Sequence, residues 1–141
     1  MATGFLAHGD FTAQVEGRLI ISEVNGPWNL ELVVSWCDAL YPVARALSAG
    51  GPHVGIAVIH HSLMCPPDAF AYLRRAITYS ARHLGCIGNC IVHAPEVDGA
   101  SLMEAMYMPV YQNLTPHLFC DSLDQARSWG LQLLAAKHIQ A

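Results

Sequence analysis

The sequence predicts one α/β domain spanning residues 1–141, with a single mixed, mostly parallel sheet, an N-terminal hairpin and flanking helices. Short β-prone runs alternate with longer stretches whose apolar residues recur every three or four positions, which gives the order β-β-α-β-α-β-α-β-α. The length suits one domain with a sizeable core, and no internal repeat, low-complexity segment or linker divides it. Because a helix separates each later strand from the next, right-handed crossovers make those strands parallel.

The first two strands are predicted to form a hairpin. The runs "FTAQV" and "RLIISEV" are separated by Glu16 and Gly17, and Gly17 tolerates the positive φ of a tight turn. "NGPW" ends the second run, and Asn29 is placed to cap a first helix that reaches about Ser48. The polar residues of this helix recur at spacings of three and four, which predicts an amphipathic helix with Pro42 on its polar stripe.

The centre of the chain contains two buried strands and a second helix. "HVGIAVIH" is apolar on both faces, which is typical of a parallel strand covered by helices. The second helix is predicted from Asp68 to Leu84, with Gly85 as its stop. "NCIVHA" follows as another short buried strand.

The last third predicts two helices around a short strand. Ser101 and Glu104 have the spacing of a capping box for a third helix, which Pro109 bends or ends early. "PHLFC" is the last predicted strand. One residue of the Asp-Ser pair at 121–122 caps the final helix, with Gln125 three or four positions later.

Composition excludes several classes of protein. There are seven Lys and Arg residues and no basic run, so we expect no nucleic-acid partner. The apolar runs are far shorter than the roughly 20 residues that span a bilayer, and the start of the chain lacks the pattern of a signal peptide. Five cysteines form no disulfide framework, which favours reduced thiols and a cytoplasmic location.

The chain is unusually poor in charge. Hydrophobic residues make up 53% and charged residues 13%, whereas typical soluble domains have about 25% charged residues. This balance predicts more apolar surface than a monomer buries, and therefore a dimer interface, an apolar pocket or contact with a membrane surface. A well-filled α/β core is the alternative.

The order and size of the elements resemble the STAS domain, and two local patterns resemble its stage II sporulation protein AA-like (anti-sigma factor antagonist-like) branch. One pattern is "EGRLIISEVNGPWNLE", a strand, a turn and the start of the first helix. The other is "PHLFCDSLDQARSWGLQLL", a strand ending near Phe119, then Asp121, then a helix containing Ala126 and Trp129. The resemblance implies a non-enzymatic regulatory or protein-interaction domain. Part of this branch is similar to the lipid-carrying CRAL-TRIO fold, which implies apolar-ligand or membrane binding as an alternative.

The loop "HHSLMCPPDAF" occupies the place of the antagonists' phosphorylation switch. The resemblance implies a serine or threonine at the start of the second helix, but Pro67 and Asp68 stand there and Ser62 lies several residues too early. We therefore expect a STAS-like domain without the phosphoserine switch. Asp68 is either a fixed negative charge near the phosphate position or an ordinary N-terminal acidic residue.

Histidines and a cysteine raise the alternative of a metal-dependent or Cys/His-dependent enzyme. His60, His61 and His93 follow two predicted strands, at the sheet edge where α/β proteins bind ligands. Cys65 and His61 have the residue types of a nucleophile and its base. No compact metal-ligand spacing and no oxyanion-hole glycine pattern accompany them, so we expect no catalytic residues, no metal and no cofactor.

The segment "SLMEAMYMPVYQNL" clusters methionine and tyrosine. Methionine adapts to irregular apolar partners, and tyrosines four residues apart share a helix face. The segment is interpreted as a lid over an apolar pocket, an interface patch or an irregular core helix. We expect a protein partner or a homodimer, with an apolar small molecule or a membrane surface as the alternative partner. The candidate ligand- or partner-binding residues are Trp28, His61, Ser62, Met64, Asp68, Met103, Met106, Tyr107 and Tyr111.

Overall fold

The computed structural model describes residues 10–137 as one mixed five-stranded sheet with four helices. The elements are β1 (Asp10–Glu16), β2 (Leu19–Asn25), α1 (Leu30–Ser48), β3 (His53–His60), α2 (Pro67–His83), β4 (Cys86–Val92), α3 (Ala100–Gln112), β5 (His117–Cys120) and α4 (Leu123–Ala136). The predicted α/β class and the predicted succession of strands and helices are confirmed for this part of the chain. None of its helices is both long and apolar enough to cross a bilayer.

The strands lie side by side in chain order, from β1 to β5. The β1–β2 pair is antiparallel, and the three later pairs are parallel. Because each crossover steps to the next strand in the same direction, right-handed connections place α1, α2 and α3 on one face of the sheet. The final helix α4 covers the other face.

Each face of the sheet has its own core. On the three-helix face, Val24, Ile59 and Ile91 of the strands pack with residues of α1, α2 and α3. On the other face, Ile21 and Ile56 pack with α4. The central strand β3 is therefore apolar on both sides, as its sequence predicts.

The ends of α1 show how local sequence positions the helix. At its start, the Asn29 side chain accepts a hydrogen bond from the backbone N–H of Leu32 over 2.8 Å, which confirms the predicted cap. At its end, Arg18 from the β1–β2 turn donates to the carbonyl groups of Leu47 and Gly51. This guanidinium joins the β1–β2 turn to the end of α1, where the Leu47 carbonyl also accepts from the N–H of Gly50.

The predicted capping box of α3 is wrong. The helix begins at Ala100 after Gly99, whose φ of 74° suits glycine, so Ser101 lies inside the first turn and caps nothing. Glu104 bonds to His93 instead of closing a capping box. Of the two alternatives for Pro109, a bend or an early end of the helix, the early end is contradicted, since α3 continues to Gln112.

Candidate functional site

A cavity of about 440 Å³ lies between α1, α2 and the sheet, on the three-helix face. Its floor is formed by β2, β3 and β4, and its roof by the facing sides of the two helices. Ligand-binding cavities in proteins generally measure about 300–1,000 Å³ and have mainly apolar walls, so both the size and the lining suit a small molecule.

The cavity exists because the floor carries small side chains. Ser22 of β2 and both Gly55 and Ala57 of β3 lie on the surface of the sheet that faces α1 and α2. Branched aliphatic residues would ordinarily fill the space at these positions. Gly55 and Ala57 remain partly accessible although β3 is the middle strand of five, whereas Val54 and Ile56, which point toward the α4 side, are buried. The alternation of small and large residues in "HVGIAVIH" therefore leaves space on one face only.

The mouth of the cavity is formed by α1 and α2. Among the residues that line the cavity, the four exposed ones all belong to these helices: Asp38, Tyr41, Arg75 and Tyr79. The hydroxyl groups of Tyr41 and Tyr79 are 3.3 Å apart and join the two helices across the opening. The opening is thus polar and aromatic, while the interior is apolar.

Loops at the C-terminal edge of the sheet close the inner end. The backbone N–H of Gly26 donates to His60 O, and that of Trp28 donates to Met64 O. These two bonds join the β2–α1 loop to the β3–α2 loop and bring the Trp28 ring, only 3% exposed, onto the cavity wall. The ring centroids of Trp28 and Trp36 are 5.5 Å apart in an edge-to-face arrangement.

Three buried nitrogen atoms belong to residues of the cavity wall and have no hydrogen-bond partner within residues 10–137. They are Nε1 of Trp28, Nε1 of Trp36 and Nδ1 of His53. A buried polar group without a partner costs about 1–3 kcal/mol, and native structures contain few of them. Each of these atoms has less than 1 Å² of accessible surface, so none of them offers a hydrogen-bonding group to the open space of the cavity.

His53 is uncharged at neutral pH. Burial, assisted by the positive charge of Arg18, lowers the pKa of its imidazole from 6.5 to about 4. The ring is 2% exposed at the start of β3. The cavity therefore contains no imidazolium under physiological conditions.

The lowered pKa of His53 predicts a specific loss of stability in acid. The unfolded chain binds a proton near pH 6.5 that folded His53 binds only near pH 4, so the stabilising contribution is complete above about pH 6.5 and declines as the pH falls toward 4. Thermal unfolding of the wild type and of His53→Asn should show a larger decrease in the melting temperature of the wild type between pH 7 and 4.5. Parallel pH profiles of the two proteins would contradict this assignment.

The thiol groups near the cavity are held in the protonated form. Burial, with a smaller effect of Asp38, raises the pKa of Cys37 to about 12. Burial, with a smaller effect of Asp68, raises the pKa of Cys65 to about 12 as well. Since the thiolate is the reactive form, neither thiol is activated as a nucleophile at neutral pH.

The candidate residues inferred from the sequence fall into separate groups. Trp28, Tyr107 and Tyr111 line the cavity, and the two tyrosine rings stack with centroids 6.1 Å apart. Met103 is buried in the core beside them, whereas Met106 is exposed on the outer side of α3.

The other four candidates lie in the β3–α2 loop and the start of α2. Ser62 is buried, donates to Asp98 over 3.2 Å and accepts from the N–H of Met64, so its hydroxyl is a structural link between loops. His61 is exposed with a φ of 74°, and the side chain of Met64 is exposed next to Gly99. Asp68 lies exposed in the first turn of α2 and accepts from the N–H of Ala69.

Two of the strand-end histidines contact carboxylates of neighbouring elements. His60 lies 2.9 Å from Glu23 of the adjacent strand, and His93 lies 2.5 Å from Glu104 of α3. Within residues 10–137, no three His, Cys, Asp or Glu side chains are grouped as metal ligands would be. His60 and His93 therefore contact carboxylates, and neither belongs to a group of potential metal ligands within residues 10–137.

Sequence reasoning missed most of the cavity wall. Trp36 and His53 were not among the candidates, and neither were the exposed residues of the mouth. The available indication was the pairing of Gly55 and Ala57 on one face of a strand whose other face is bulky. No protein-family model, curated protein or solved structure matches the chain, so the cavity is interpreted from its own geometry.

Proposed function

We propose that this protein is a binding domain, without a catalytic step of its own, that holds a small apolar molecule in the cavity between α1, α2 and the sheet. The observation that carries the proposal is the 440 Å³ cavity with its apolar lining and polar mouth. Enclosing an apolar ligand removes apolar surface from water, which favours binding by about 25 cal/mol of free energy for each Å² buried. The cavity walls are already folded around the space, which lowers the entropic cost of binding.

The chemistry of the nearby side chains supports binding over catalysis. The thiols of Cys37 and Cys65 have raised pKa values, and His60 and His93 each contact a carboxylate. The floor glycine and alanine supply no reactive group. These side chains therefore shape an apolar space and do not supply an activated nucleophile with a base.

A second candidate function is that of a STAS-like interaction domain, which binds a protein partner, a second copy of itself or a membrane surface. It is supported by the sequence resemblance and by the outer side of α3, where Leu102, Met106 and Met108 are all exposed. Because Ser62 is buried and bonded to Asp98, this candidate function involves no phosphoserine switch at that residue.

N-phenyl-1-naphthylamine, a neutral apolar dye whose fluorescence rises in apolar surroundings, tests the first proposal. We expect saturable binding of one dye molecule per chain. The matched control is the double variant Leu102→Gln and Met106→Gln, which removes apolar surface from the outer side of α3 and leaves the cavity unchanged. It should bind the dye as the wild type does.

Two outcomes decide between the candidates. Loss of dye binding in the α3 double variant would contradict the cavity proposal, because it would locate the apolar site on the helix surface. A decrease in mass from dimer to monomer in the same variant, measured by light scattering after size exclusion, would support the second candidate.

A further inference from the structure

Two arginine side chains at the mouth of the cavity have no acidic partner. Arg75 of α2 lines the mouth beside the Tyr72 ring, and Arg45 of α1 lies over the Tyr41 ring, with its guanidinium carbon 4.8 Å from the ring centroid. Both arginines are exposed, and within residues 10–137 neither guanidinium group forms an ion pair with a carboxylate. Their positive charges are therefore open to an anion from solution.

Arg45 and a pair of tyrosines place hydrogen-bond donors at the mouth. Nη2 of Arg45 donates to the Tyr41 hydroxyl over 3.1 Å, and that hydroxyl lies 3.3 Å from the hydroxyl of Tyr79. A guanidinium group has five N–H donors, of which this contact uses one. Because a guanidinium binds a carboxylate through two parallel hydrogen bonds, Arg45 retains the donors that such a contact requires.

The charge around the mouth favours an anion over a cation. The guanidinium groups of Arg45 and Arg75 outnumber the single carboxylate of Asp38, although the whole chain has a net charge of −4. His83 stacks on Tyr79 with ring centroids 4.8 Å apart, and its protonation only adds to the positive charge. Among the described lining residues, the ionised ones all lie at the mouth, so an apolar chain would extend inward from a charged group held there.

We propose that the ligand is a single-chain amphiphile of the fatty-acid type, with its carboxylate bound at Arg45 and its hydrocarbon chain inside the cavity. This inference rests on the proposed function, because it specifies the class of molecule that the same cavity holds. The volume of about 440 Å³ and the apolar lining suit the chain. At the exposed mouth the carboxylate keeps part of its hydration, so binding does not require a buried charge.

Three probes with decyl chains and different head groups test the inference: decanoate, decanamide and decylammonium. Each is measured by displacement of N-phenyl-1-naphthylamine at about pH 7.5, where the acid and the amine are both ionised. We expect decanoate to bind about fivefold more tightly than decanamide and at least about tenfold more tightly than decylammonium. The advantage over decanamide should decrease in about 0.5 M salt, because exposed charges are screened.

Variants of single charged residues locate the head group. Arg45→Gln should weaken decanoate binding about fivefold more than it weakens decanamide binding, and Asp38→Asn should strengthen decanoate binding about twofold. Arg74→Gln is the matched control, because it removes an equal charge from an exposed residue of α2 that does not line the cavity. The control should leave all three affinities unchanged.

The outcomes separate this inference from the proposed function. Equal binding of decanoate and decanamide, unaffected by Arg45→Gln, would overturn the anionic head group and leave the apolar cavity as a binding site. Tightest binding of decylammonium, or an equal loss of decanoate binding in Arg74→Gln, would overturn the assignment to Arg45. Failure of the dye itself to bind would overturn both proposals. The three probes on the wild type test the head group even where a variant does not fold.

Discussion

Replacing Gly26 with alanine is expected to destabilise the protein by about 3 kcal/mol or more. A Cβ atom at this position would overlap the carbonyl oxygen of Ser62 and lie 3.1 Å from its carbonyl carbon. The obstacle is backbone, which cannot rotate away as a side chain does. The β2–α1 and β3–α2 loops would have to separate, which would break the bond between Trp28 N–H and Met64 O.

Denaturant unfolding monitored by circular dichroism measures this loss, and tryptophan emission reports whether Trp28 becomes exposed. Gly50→Ala is the matched control, because the nearest atom to its Cβ is the terminal Nη1 of Arg18 at 3.4 Å, on an exposed turn. The control should change the free energy of unfolding by no more than about 0.5 kcal/mol. Equal unfolding midpoints for the two variants would show that the loops do not approach each other as described.

Replacing Gly55 with valine is expected to stabilise the unliganded protein by about 1 kcal/mol and to weaken dye binding at least about tenfold. Among residues 10–137, the only heavy atom within 4 Å of an added Cβ is Oδ1 of Asn89 at 3.4 Å, so the new side chain enters the cavity. Valine suits a strand, restricts the unfolded chain and fills space that a ligand would otherwise occupy. Stability and binding therefore change in opposite directions.

Gly88→Val provides the control on the neighbouring strand. There an added Cβ would lie 2.5 Å from Cδ1 of Leu133 and 3.2 Å from the Trp129 ring, in the packed core under α4. Overpacking of this kind costs about 1–3 kcal/mol, and dye binding by the folded protein should be retained. If Gly55→Val were destabilising and still bound the dye with wild-type affinity, the space over Gly55 would not be the binding site.

The sequence predicts the sheet and helices of this protein well because the relevant information is local. Gly17 has the positive φ that a tight turn requires, and Asn29 caps α1 as its side-chain chemistry suggests. The apolar runs of β3 and β4 correspond to the two central parallel strands. In each case neighbouring residues along the chain determine the conformation.

The capping-box expectation for α3 fails because a tertiary contact overrides local chemistry. Ser101 and Glu104 have capping-box spacing, but His93, the residue after β4, binds the carboxylate of Glu104 over 2.5 Å. Gly99 begins the helix through its backbone conformation instead. Pro109 is accommodated inside α3, which continues for three residues beyond it. The sequence of residues 101–104 alone cannot predict a hydrogen-bond partner that lies elsewhere in the chain.

The candidate site was only partly predictable for a similar reason. Trp28, Tyr107 and Tyr111 are large aromatic residues that stand out in the sequence, and all three line the cavity. The cavity exists because Gly55 and Ala57 leave space above the sheet. That space is evident only once α1 and α2 are placed over the sheet. The mouth pairs Tyr41 with Tyr79, which are 38 residues apart in sequence.

The most direct test of the binding-site assignment is a set of intermolecular NOEs between N-phenyl-1-naphthylamine and protein with labelled methyl groups. We predict NOEs from the ligand to Ala57, Ile59 and Ile91, which line the cavity on the sheet side, and none to Leu134 in the core beneath α4. NOEs confined to the exposed side of α3, at Leu102 and Met106, would contradict a binding site between α1, α2 and the sheet.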